Sequence, residues 1–304
     1  MSRIHEALKK AEQERTILEP EVGNAAAPPI LPDATLHESA LIAPGIPTGT
    51  ATAAAQAPVS VIDGFRQTRW SPDPKAMLFF GGDDHQSGAE EFRTLRTRLY
   101  QAREKAQLSK LLITSPLPKE GKSFTAANLA QVIVRQHGKR ALLIDADLRN
   151  PQLHTLLGAE PGPGVAEFLR SEIDERSIIQ RGPMENLCLI PAGRASGNPA
   201  ELVANGRIRL LTERLEPLFD WIIIDSAPAA LVSDAGLLAN YCDGVLLVVR
   251  SNATPVDAAR RAAQEFPPEK LLGVVLNGIA PELSPYSRYY YSAYGQNGNK
   301  QVKN

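Results

Sequence analysis

The chain has 304 residues, is 43% hydrophobic and 22% charged, and carries a formal net charge of −1. Those values fit a globular protein with one large domain or two small ones, and exclude a global field for nucleic acid or an anionic membrane. Cys188 and Cys242 sit in apolar segments outside any CxxC pair, which points to two buried thiols in a reducing compartment. No run approaches the ~18 apolar residues of a membrane span, and the polar, basic start lacks the apolar core of a secretory signal. The expected location is the cytoplasm.

Residues 1–18 open with MSRIHEALKKAEQER, in which Ile4, Ala7, Leu8 and Ala11 recur at helical spacing after a possible Ser2 cap. A helix this short is marginal alone and needs a surface, its own domain or a partner. Residues 19–85 form the next region. Most of it is rich in alanine and proline, and no Lys or Arg occurs between Arg15 and Arg66. It reads as a flexible tether, with MLFF (77–80) as a possible edge strand.

From residue 86 to 280 short apolar runs alternate with helix-like segments: KLLITS (110–115), ALLIDA (141–146), LCLIP (187–191), WIIIDS (221–226), GVLLVVR (244–250) and LLGVVLN (271–277). Continuous apolar strands of this kind predict an α/β fold, a parallel sheet covered on both faces by helices. Residues 281–304 lack apolar periodicity yet hold five of the seven tyrosines: Tyr286, Tyr289, Tyr290, Tyr291 and Tyr294.

The first strand runs into SPLPKEGKS (115–123). Gly121, Lys122 and Ser123 stand between a strand and a helix, where backbone N–H groups, a lysine and a hydroxyl would meet phosphate and magnesium. The pattern G-x-x-x-x-G-K-[ST] is incomplete, because Pro116 occupies the first glycine's place. Asp145 and Asp147 end the second strand, two apart and on one face, and Asp225 ends a later one. Each acid alone could merely cap a helix. Three at the carboxyl edge beside a phosphate loop suggest a site that binds phosphate and a divalent ion.

Together EEFRTLRTRL (90–99), SPLPKEGKS, LLIDADLRNPQLH (142–154), IPAGRASGNPAEL (190–202), IIIDSAPAALVSDA (222–235) and the terminal tyrosines resemble the bacterial tyrosine kinases of capsule and exopolysaccharide systems. The resemblance covers roughly residues 88–295 and implies a P-loop fold related to the ParA and MinD ATPases, with ATP and Mg2+ as cofactors. It places Lys122, Asp145, Asp147 and Asp225 in catalysis, with Asp145 receiving the tyrosine proton. Pro118, Lys119, Glu120, Gly121, Lys122, Ser123 and Phe124 would form the nucleotide loop. Ser123, Asp145 and Asp225 would serve magnesium, and Asn277 would approach adenine unless it packs or caps instead.

The same resemblance makes Glu90, Arg93 and Arg96 a contact between subunits of a ring; a solvated face with i, i+3 pairs is the alternative. It makes the tail tyrosines the phosphate acceptors, although tyrosine clusters also stack or add a strand to a partner. It further implies a membrane-embedded activator or co-polymerase that brings the chain to the inner face of the membrane, a cognate tyrosine phosphatase, and no nucleic acid. Two positions depart from the family: Lys119 where glycine is usual, and Ala227 where a second proline is frequent. Because a lysine resists positive φ, the peptide at 119 is expected in an ordinary backbone region, with its charge facing water. A positioning ATPase of the ParA/MinD kind is the alternative, against which Leu117 stands where those proteins carry a lysine. A nucleotide-gated scaffold without turnover is a third reading, opposed by the intact lysine and acids.

Overall fold

The computed structural model describes residues 61–74, 76–80, 88–194 and 196–279. The expected helix at 1–18, most of the tether and the tail at 281–304 lie outside the described residues. Among the described residues eight strands form one sheet: β1 (Arg66–Gln67), β2 (Lys110–Thr114), β3 (Ala141–Asp145), β4 (Gln180–Arg181), β5 (Leu187–Ile190), β6 (Trp221–Asp225), β7 (Gly244–Arg250) and β8 (Leu271–Asn277). Their order is β1-β4-β5-β3-β6-β2-β7-β8. All pairs are parallel except β4 with β5.

The strands form because consecutive residues serve opposite faces, and both faces are covered. Leu112 of β2 joins one core, with Leu142 and Ile144 of β3 and Ile222 and Ile224 of β6. Leu111 and Ile113 join the other, with Leu143, Trp221 and Ile223. Double coverage is why these runs read as uninterrupted apolar stretches rather than alternating ones. Leu111, Leu112 and Ile113 are fully buried, and each such side chain contributes about 1.5–3 kcal/mol relative to exposure. A charge at any of them would break the sheet's centre.

Eight helices connect the strands among the described residues: α1 (Ala89–Lys105), α2 (Lys122–Val134), α3 (Leu153–Leu157), α4 (Val165–Leu169), α5 (Pro199–Ala204), α6 (Arg207–Leu215), α7 (Asp234–Ala239) and α8 (Val256–Gln264). In α2 every residue but Phe124 is buried, as its nearly all-round apolar sequence requires. Helix α1 covers α2, with Phe92 and Leu99 buried. Glu90 and Glu91 in its first turn and Arg103 and Lys105 in its last turn suit the helix dipole.

Two expectations are corrected. Residues 77–80 form no edge strand. The backbone there is engaged by α2 instead: Asn128 Nδ2 donates to the Ala76 carbonyl, and Leu78 N–H donates to Asn128 Oδ1 at 2.8 Å. The tether also ends earlier than residue 85, since Ile62, Phe65, Trp70, Met77 and Phe79 are buried in the two cores. An aromatic or branched residue every few positions between 62 and 79 lets this stretch bury enough surface to fold.

Candidate functional site

Strands β2, β3 and β6 are adjacent and parallel, so their carboxyl ends deliver the loop at 115–121 and the acids Asp145 and Asp225 to one edge of the sheet. Asp145 and Asp225 are direct register partners. Lys122, Ser123, Asp145, Asp147 and Asp225 are all buried. Lys122 Nζ lies 2.8 Å from Asp147 Oδ2, 4.0 Å from Asp225 Oδ1 and 3.3 Å from Ser123 Oγ. Burial works against its charge, but Asp225 and Asp147 outweigh that and raise its pKa.

The three acids are served unequally. Asp145 accepts from the N–H groups of Gln152 and Leu153 at 3.2 and 3.0 Å, ahead of α3, and from Asp147 N–H at 3.3 Å. It is therefore a cap as well as a site residue. Burial and then the Asp225 carboxylate push its pKa up to about 8. Burial likewise raises Asp225 to about 6, against the pull of Lys122 and the nearby Ser123 hydroxyl. Neither Asp225 oxygen completes a hydrogen bond within the protein. Asp147 accepts from Arg149 N–H and Asn150 N–H at 3.3 and 3.0 Å besides facing Lys122.

The loop is braced from outside. Glu120 is buried, its Oε2 accepts Leu117 N–H at 2.8 Å, and its Oε1 accepts the Thr254 hydroxyl. Arg250 Nη1 donates to the Lys119 carbonyl at 3.2 Å, and Asn277 Nδ2 donates to the Glu120 carbonyl at 2.9 Å. Gly121 has φ +95°, and a Cβ there would come within 2.0 Å of Asn277 Nδ2. Only glycine fits that approach.

One sequence-derived expectation changes here, and the surroundings of other predicted residues can be described. Lys119 takes φ +63° rather than an ordinary region. The Arg250 and Asn277 bonds to the carbonyls of residues 119 and 120 hold this turn against the cost of the left-handed conformation. Its side chain faces water as expected. Asn277 braces the loop's backbone. Phe124 packs edge-on against Phe92 at 5.9 Å, which places its side chain in the α1–α2 contact. Pro118 is exposed.

Glu90 and Arg93 form an i, i+3 pair at 3.0 Å, whereas Arg96 Nη1 donates to the Val132 carbonyl at 2.8 Å within the same chain. Asp234 was not anticipated. It is buried at the start of α7 and receives Arg149 Nε and Nη2 at 2.7 and 3.1 Å, tying the loop after Asp147 to the segment after Asp225. Opposite charges in two loops following site acids were the only signal in the sequence.

Among the described residues no three His, Cys, Asp or Glu side chains converge closely enough to hold a metal alone. The donors present suit magnesium, which keeps waters and takes phosphate oxygens beside one or two protein ligands. The Asp225 carboxylate, 4.0 Å from Lys122 Nζ, beside Ser123 and without a completed hydrogen bond, fits that requirement.

No family model matches the chain. It is 37% identical over 217 residues to the tyrosine-protein kinase YwqD of Bacillus subtilis, across 71% of this chain and 90% of that protein. To the tyrosine-protein kinase CpsD of Streptococcus agalactiae it is 32% identical over 200 residues, covering 65% of this chain and 85% of the relative. It spans only 31% of the tyrosine-protein kinase wzc of Salmonella typhimurium, at 32% identity over 72% of this chain. Among solved structures, the kinase domain of the Escherichia coli tyrosine kinase ETK superposes with a TM-score of 0.61 at 30% identity, covering 66% of this chain and 80% of that one. The chimerical protein CapA2B2 gives 0.62 at 27% identity, over 70% and 94%.

Proposed function

Because the chain belongs to the bacterial tyrosine-protein kinases, we propose that it transfers the γ-phosphoryl group of ATP to the tail tyrosines 286, 289, 290, 291 and 294 of a neighbouring copy. The observation that carries this is Lys122, buried between Asp147 and Asp225 at the mouth of a loop whose helix presents its N-terminus.

In this reading the N–H groups at the start of α2 and Lys122 hold the outer phosphates. Lys122 exchanges Asp147 for a phosphate oxygen when nucleotide enters. Ser123 and Asp225 would hold magnesium, which when bound draws charge from the leaving phosphate. Asp145 takes the phenolic proton as the tyrosine oxygen forms its bond to phosphorus and the bond from phosphorus to ADP breaks. A carboxyl near 8 matches a phenol near 10 far better than an ordinary carboxylate does.

The exposed Glu90 end of α1, with Arg93, would meet the next subunit of a ring. No described helix is long and apolar enough to cross a membrane, and a membrane-embedded partner would supply activation and location. The cellular role would be control of polysaccharide polymerisation and export, reset by a tyrosine phosphatase. Five phosphates would add roughly −8 to −10 charge to a weakly cationic tail and drive subunits apart.

The test is to incubate the purified chain with ATP and magnesium, with and without the partner's cytoplasmic segment, and map phosphate by mass spectrometry. Label between residues 286 and 294 is expected. Absence of label under both conditions refutes the kinase reading, and phosphate release without label would assign a positioning ATPase instead.

A further inference from the structure

The two edges of the sheet differ. β1 ends one side with Arg66 and Gln67, and Arg66 pairs with Glu160 at 2.9 Å. β8 ends the other with LLGVVLN, which has no charge and no proline. On it Val274 is 59% and Leu276 52% exposed, with Leu272 above a third as well. Val274 and Leu276 stand beside Leu247 and Val249 in register, so they continue an otherwise buried face of the sheet out to its edge. Natural proteins blunt or cover an edge strand of this composition.

We propose that the segment following β8, residues 280–294, covers this stripe by docking its tyrosines on it. β8 spans about 23 Å at ~3.3 Å per residue. The fifteen residues from 280 to 294 reach up to about 50 Å when extended, enough to turn and run the strand's whole length. Leu283 and the five tyrosines supply large, amphipathic contact area. The segment starts three residues after Asn277, so its local concentration is of the order of millimolar, well above what a second copy would ordinarily supply.

Since Asn277 touches the phosphate loop through the Glu120 carbonyl, a docked tail rests with its near end at the nucleotide site. Each phosphotyrosine adds about −1.5 to −2 charge, which an apolar stripe cannot hold, so phosphorylation releases the tail. That release rests on the kinase reading above; the docking does not.

Chymotrypsin cleavage between 286 and 294 in the unphosphorylated, nucleotide-free full chain tests it. Val274→Asp/Leu276→Asp should be cut at least about tenfold faster than native, because cleavage follows the undocked population. A native circular dichroism spectrum and melting temperature in the variant confirm that the fold is intact. A second variant, Val274→Thr/Leu276→Thr, should fall between the two. Equal cleavage rates in all three proteins overturn the proposal. Protection that appears only as protein concentration rises also overturns it, in favour of a second copy. Labelling of the tail plays no part in this readout, so its failure and that of the kinase reading are separable.

Discussion

The two ends of the parallel strands are built from the same residue types with opposite results. At the amino end Lys110 Nζ meets Glu216 Oε2 at 2.6 Å, and Asp243 Oδ2 accepts the N–H groups of Ser109 and Lys110, each at 2.8 Å. Bonds from Lys110 and Ser109 hold Glu216 below the usual carboxylate range. Asp220 is also lowered: burial opposes this, but Arg140 N–H and Lys139 prevail. At the carboxyl end Asp145 and Asp225 are pushed upward, and Asp225 has no hydrogen-bond partner in the protein. The amino end spends its charges on holding the fold. The carboxyl end buries Asp225 without a completed side-chain hydrogen bond and sets it beside Asp145, and that imbalance marks chemistry.

The largest expected break in this contrast comes from Lys122→Met. It should cut tail labelling by about a thousandfold, the scale of losing a charge-stabilising donor, while circular dichroism stays native. A Lys110→Met chain should label normally.

Next is Asp145→Asn, expected to lower turnover about a hundredfold as a lost proton acceptor. Native kcat/KM, which reports the free enzyme, should climb as pH rises through about 8, where Asp145 ionises, and the variant should lose that limb. A flat native profile would remove Asp145 from the proton-transfer role.

The smallest effect is on stability, and its sign differs between the two ends. Asp145 has a folded pKa above its unfolded value, so its contribution is fully present below about 4 and disappears as pH rises toward 8. Asp145→Asn should therefore melt higher than native without nucleotide, by roughly 5 °C at neutral pH and by little near pH 4. Glu216 is depressed, so it stabilises above its ordinary pKa and loses that as pH falls through the folded value. Glu216→Gln should melt lower at neutral pH, by roughly 3 °C. Thermal scans of both across this range test the contrast directly.

The six long strands were readable because each is an unbroken apolar run ending at a turn or a site acid. β1 and β4 were not, since two residues carry no period. MLFF looks like a strand because its apolar residues are contiguous, but Asn128 and Gln131 of α2 engage that segment instead. Polar residues inside an otherwise apolar helix were the available hint. The site acids stood out by position at strand ends. The φ of Lys119 and the Glu120–Thr254 brace depend on long-range bonds, which no local pattern encodes. The Arg149–Asp234 pair joins positions 85 apart, and the only trace of it in the sequence is an opposite charge following each of two strand-end acids.

Lys122 is only 7% exposed, and it leans on Asp147. Without nucleotide Lys122 is therefore already engaged, and the loop's solvent-facing cation is Lys119. Selectivity follows from this: a phosphate must compete with an internal carboxylate to win Lys122, and a ligand lacking the loop's other contacts loses that contest.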